Sequence, residues 1–148
     1  MIPGGCFTSS SPEETFDLGI RLAPALEKGS IVAFRGPLGA GKTCFIKGIA
    51  RGLGVAEEVT SPTYTIVSEY EGTLSGEPVT LYHIDAYRLG GNDDFSVIGG
   101  EEIIFNNEIS VIEWSERIPD FIPPGAIRVD IEIAEDGKRI IRIGGNGT

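Results

Sequence analysis

The segment Gly36-Pro37-Leu38-Gly39-Ala40-Gly41-Lys42-Thr43 has the residue types and spacing of a phosphate-binding turn, G-x-x-x-x-G-K-[ST]. An apolar run, Ile31-Val32-Ala33-Phe34, precedes it and a helix-compatible run follows. Glycines at this spacing let successive backbone N–H groups turn inward as an anion nest. The helix that opens near Gly41 adds its positive dipole end beneath a phosphate. Leu38, Gly39, Ala40 and Gly41 would line the nest. Lys42 would reach the β- and γ-phosphates, for binding and catalysis, and the Thr43 hydroxyl would be a Mg²⁺ ligand. The order Gly36, Gly39, Gly41 is G-x-x-G-x-G, which departs from the dinucleotide fingerprint. A nucleoside triphosphate with Mg²⁺ is the ligand this chemistry expects.

A phosphate site of this kind needs a further carboxylate at a strand end. Leu81-Tyr82-His83-Ile84-Asp85 and Ser110-Val111-Ile112-Glu113-Trp114 each bring one, Asp85 and Glu113. Residue types leave open which holds the metal and which orients or activates water. His83, the single histidine, reads as a packed strand residue, and Trp114, the single tryptophan, as a cap on the core. Ser61-Pro62-Thr63-Tyr64-Thr65 reads from its spacing as a proline turn after the phosphate-loop helix.

Two helices and a set of strands must position these groups. Ser11-Pro12-Glu13-Glu14 opens a helix with an N-cap, a proline at the first position and a capping box. Phe16, Ile20 and Ala23 then recur at helical spacing, with Pro24 expected to kink or end the helix and Gly29 to stop what remains. The phosphate-loop helix runs to about Ala50. Strands are expected at 65–70 and 79–85 as a hairpin, then at 109–114, 127–133 and 139–143, with a short helix near 92–98. The expected fold is α/β: a single P-loop domain over 1–148, its mixed sheet parallel near the P-loop and antiparallel at the edges, with 144–148 frayed.

Composition fits that class. Of 148 residues, 41% are hydrophobic and 23% charged, ordinary for a soluble domain with a real core. The N-terminus lacks a basic-then-apolar signal pattern and no apolar run approaches a membrane span, so neither export nor membrane binding is expected. Cys6 and Cys44 form no disulfide framework, and a reducing cytoplasm is the simplest location. The net charge of −10 is uneven: residues 55–127 hold fourteen acidic and two basic groups. Such a surface repels a phosphate backbone, so nucleic acid is not expected as a direct partner.

With these residues laid out, the chain resembles the TsaE family. GPLGAGKT, SPTYT followed by Ile-Val, YHIDAYRL and VIEWSERIP occur in that family's order and approximate spacing. The likeness extends from Glu14-Thr15-Phe16-Asp17-Leu18-Gly19 to the closing hairpin. It implies an ATPase of tRNA threonylcarbamoyladenosine modification that works with TsaB-like and TsaD-like proteins, meeting tRNA only through that complex. Hydrolysis would reset the complex between turnovers. The resemblance also implies that Thr43 and Glu113 are the Mg²⁺ ligands, Asp85 a catalytic or metal-proximal carboxylate, and Thr63 part of a switch-like loop. Ser11, with Lys138 or Arg139, is the nearest match to further nucleotide contacts. Cys44, where a second threonine is usual, and Pro24 are departures. The competing readings are a small P-loop kinase and a nucleotide-gated binding module without hydrolysis. A GTPase is disfavoured, because no N-K-x-D motif occurs.

Overall fold

A computed structural model describes residues 4–37, 39–59 and 66–145. Leu38 and Thr63, and with Thr63 the whole SPTYT segment, lie outside the described residues. The chain runs β1 (Gly5–Ser9), α1 (Pro12–Leu22), β2 (Ile31–Arg35), α2 (Lys42–Gly52), β3 (Val67–Leu74) and β4 (Glu77–Asp85). It continues through α3 (Asn92–Val97), α4 (Gly100–Ile104), β5 (Ile109–Glu113), β6 (Ile127–Ile133) and β7 (Arg139–Gly145). All seven strands form one sheet in the order β1-β7-β6-β2-β5-β4-β3.

The centre is parallel: β2 pairs with β5 and β6, and β5 with β4. Both edges are antiparallel, β3 on β4 at one side and β6, β7 and β1 at the other. The reason is in the residues. Ile109 to Glu113 is buried at every position, as a strand covered on both faces must be. β6 instead alternates, with Ile127, Val129 and Ile131 buried and Arg128 and Glu132 exposed. That is the pattern of a sheet covered on one face. Ser75 and Gly76, both with positive φ, make the two-residue turn that sets the β3–β4 register.

One core lies under α1 and α2, where Phe45, Ile46 and Ile49 pack against Val32, Phe34 and Val111. The other joins Ile84, Phe95, Ile104 and Ile112 beneath α3 and α4. α1 crosses α2 at glycine. A Cβ at Gly19 would strike the Phe45 carbonyl, and one at Gly48 the Phe16 carbonyl, so both positions require the smallest residue. Pro24 ends α1 early, and the chain leaves through a 3-10 turn over Ala23–Ala25. Ser11 Oγ accepts from the Glu14 N–H at 3.1 Å, while Glu14 Oε1 accepts from Ser10 N at 2.6 Å, one residue further back than a standard capping box.

Three elements differ from the expected set. β1 and α4 were not anticipated, and β7 continues through Gly144 and Gly145, which the sequence assigned to a frayed tail; residues 146–148 lie outside the described residues. Gly144 and Gly145 are ordered in register by β6, opposite Arg128 and Ile127.

Candidate functional site

The carboxyl ends of β2, β4 and β5 meet on one side of the sheet. The chain leaves β2 for the loop before α2, and its neighbours β5 and β6 flank it, which opens a crevice where ligands bind in α/β sheets. Gly39 and Gly41 take φ of 76° and 108°, left-handed backbone that a side chain would strain. Gly41 is the N-cap of α2. The first amides of α2 have no acceptor within the helix, so they are available to an anion.

Lys42 and Thr43 follow in the first turn. Lys42 is buried, and its Nζ donates to the Gly36 carbonyl at 2.7 Å. The same ammonium lies 3.5 Å from the centroid of the Trp114 ring. Burial lowers its pKa, and Glu113, Glu116 and Asp85 pull it back up. Trp114 packs on the second core, as a core cap should, and also serves the cleft. In the structure it carries a left-handed backbone (φ 59°) directly after β5, and that turn brings its ring over the cleft. A non-glycine residue held there is strained, and such strain concentrates at functional sites. Ser115 then donates to the Phe34 carbonyl at 3.2 Å and fixes the turn against β2.

Across the cleft, Thr43 Oγ1 donates to Glu113 Oε1 at 3.4 Å. Asp85 pairs in register with Glu113 on the neighbouring strand, lines the same cleft and accepts from Tyr87 N at 3.0 Å. Thr43 and Glu113 offer oxygen only. That donor set fits Mg²⁺, which binds through one or two protein oxygens and keeps waters and phosphate oxygens for the rest. Lys42, Thr43, Asp85 and Glu113 are thus brought together.

The loop's other side forms a second recess. Ser11, Thr15, Gly39, Cys44, Gly137 and Arg139 line it. Of the two basic residues named for the last hairpin, Arg139 reaches the loop: Nε donates to Ala40 O and Nη2 to Gly39 O, each at 3.1 Å. Lys138 is exposed, its backbone N–H donating to Asp136.

His83 is a packed strand residue, as its sequence suggests, and it also has a partner in the site. It is fully buried, and its Nε2 lies 2.6 Å from Glu113 Oε2. A usable signal was present: His83 and Asp85 are two apart on one strand and therefore share a face.

The model of the family described as threonylcarbamoyl adenosine biosynthesis protein TsaE matches residues 9–141. The chain belongs to the TsaE family. A Treponema pallidum protein named tRNA threonylcarbamoyladenosine biosynthesis protein TsaE is 42% identical over 135 residues, covering 91% of this chain and 96% of the relative. The Bacillus subtilis protein of the same name is 36% identical over 132 residues, covering 88% of this chain and 79% of that one. Among solved structures, the crystal structure of Bacillus subtilis YdiB is similar with a TM-score of 0.76 and 31% identity. That match covers 99% of this chain and 88% of YdiB.

Proposed function

We propose that this TsaE-family chain is a Mg²⁺-dependent ATPase that serves tRNA threonylcarbamoyladenosine formation in the cytoplasm. It acts with TsaB-like and TsaD-like proteins, and hydrolysis resets their complex between turnovers. One observation carries the reading: Lys42 and Thr43 of the phosphate loop face Glu113 and Asp85 across a single cleft. The loop amides and Lys42 hold the triphosphate. Thr43 and Glu113 hold Mg²⁺, which when bound neutralises charge shared by the β- and γ-phosphates. Asp85 orients or activates the attacking water. The recess with Ser11 and Arg139 takes the remainder of the nucleotide. Thr63 belongs to the loop that senses its γ-phosphate. A kinase would need an acceptor pocket and basic lid residues, and residues 55–127 contain only Arg88 and Arg117 as basic groups.

Binding and turnover, measured on variants, test the division of roles. Lys42→Ala is expected to lose tight ATP binding, because the phosphate oxygens lose a charge-assisted donor. Glu113→Ala should weaken binding chiefly when Mg²⁺ is present, and Asp85→Ala should bind normally but not hydrolyse. Turnover should be slow alone and faster with the two partner proteins; an arginine supplied in trans is worth ~10³–10⁵ in other P-loop systems. Identical behaviour of the two carboxylate variants, or rates indifferent to the partners, would defeat the reading.

A further inference from the structure

His83 and Glu113 are both buried, on adjacent parallel strands, with Nε2 and Oε2 2.6 Å apart. Among the described residues, His83 Nδ1 meets no hydrogen-bond partner. A buried ring N–H without an acceptor is costly, so the tautomer that fits carries its hydrogen on Nε2, facing Glu113. The Glu113 carboxylate is therefore divided. Oε2 receives the imidazole N–H, and Oε1 is turned toward the Thr43 hydroxyl at 3.4 Å.

We propose that His83 is a positioning residue for the Mg²⁺ site: its Nε2–H holds Glu113 in the one rotamer that presents Oε1 beside Thr43. This rests on reading Thr43 and Glu113 as the metal pair. Without the histidine, Oε2 of Glu113 loses the donor that fixes it, the carboxylate can rotate, and part of its affinity is lost in ordering it. Outer partners that fix a ligating group are worth about 10–100-fold in metal affinity. The placement of the donor follows from the strand. His83 precedes Asp85 by two residues, so both project on the same face, and β4 lies directly beside β5. One strand thus supplies the carboxylate lining the cleft and, one step deeper, the group that aims its neighbour.

Three substitutions separate this role from simple core packing. His83→Gln keeps an N–H near the place of Nε2. His83→Asn keeps one near Nδ1, too short to reach Glu113, and His83→Phe fills the space with no donor. ATP affinity is measured by calorimetry in EDTA and in saturating Mg²⁺, together with the Mg²⁺ concentration that half-saturates the ATP-bound protein. The Phe and Asn variants are expected to need about 10–100-fold more Mg²⁺ with ATP affinity in EDTA unchanged, and the Gln variant to fall within a few-fold of the parent. A wild-type Mg²⁺ requirement in the Phe and Asn variants overturns the proposal. So does an equal loss of ATP affinity with and without Mg²⁺. Glu113→Ala, run in parallel, keeps the two readings apart. If it abolishes the Mg²⁺ effect while the His83 variants do not, the metal pair stands and the positioning role falls. If it leaves the Mg²⁺ effect intact, both fall.

Discussion

Cys44 adjoins Thr43 at the head of α2, where the helix dipole favours a thiolate and apolar packing opposes one. The structure decides between them. Burial raises the Cys44 pKa, Lys47 opposes that, and Sγ donates to the Pro12 carbonyl at 3.1 Å, as only a protonated thiol can. The folded state therefore holds this proton more tightly than the unfolded chain. Its contribution to stability is present below the unfolded thiol pKa and is lost as pH climbs through the raised folded value. Reactivity follows the same sign. At neutral pH, iodoacetamide should modify exposed Cys6 well before Cys44, and the Cys44 rate should climb only as pH passes above the ordinary thiol value. Mg²⁺-ATP should slow Cys44 further, since its side chain lines both recesses beside the phosphate loop. Mass spectrometry at each cysteine is the check. Equal rates at neutral pH, indifferent to nucleotide, would contradict this placement.

Among the elements, the crossing of α1 and α2 is the tightest joint, because Gly19 and Gly48 let the two backbones touch. Gly48→Ala should cost about 1–3 kcal/mol through forced overpacking, a fall in Tm on the order of 5 °C. Gly125→Ala, which meets nothing within 4 Å, is the control and should not lower Tm. A Gly48 variant that melts with the parent would refute the tight crossing. This joint also marks what the sequence could convey. Ile31 to Phe34, the apolar stripe of α2 and the β3–β4 hairpin were readable because periodicity and turn chemistry reported them directly. β1 was not: Gly5 to Ser9 is mostly exposed and is a strand only because β7 pairs with it, more than a hundred residues on. α4 opens with Gly100 behind a Gly99 N-cap, a poor helix signal, and it is held by Ile104 in the second core. The site divides in the same way. Lys42, Thr43, Asp85 and Glu113 announced themselves by type and spacing. The contact of His83 with Glu113 and the place of the Trp114 ring over Lys42 come from cross-strand register and a left-handed turn, which one segment read alone does not reveal.

For the whole molecule, charge distribution gives the remaining test. Asp93, Asp94, Glu101 and Glu102 are all exposed on α3 and α4, and Val97 and Phe105 stand exposed among them. This face repels phosphate backbones and suits a protein surface better. tRNA alone should bind weakly at physiological salt, and fluorescence polarisation would register the contrary; tight binding there would count against an acidic, partner-dependent protein. The sheet order carries a consequence of a different kind, one of timing. β1 and β7 come from opposite ends of the described chain, and Arg139, opposite Ser9 in that pairing, ties down the carbonyls of Gly39 and Ala40. During synthesis the phosphate loop is made well before Arg139, its tether. β1 must wait unpaired until β7 has been made, and a pairing that spans so much chain forms slowly. A strand of five residues is short enough to wait without recruiting a wrong neighbour. The nascent chain therefore carries the G-x-x-x-x-G-K-T motif before the carbonyls of Gly39 and Ala40 are tied down, and that waits for the β6–β7 hairpin.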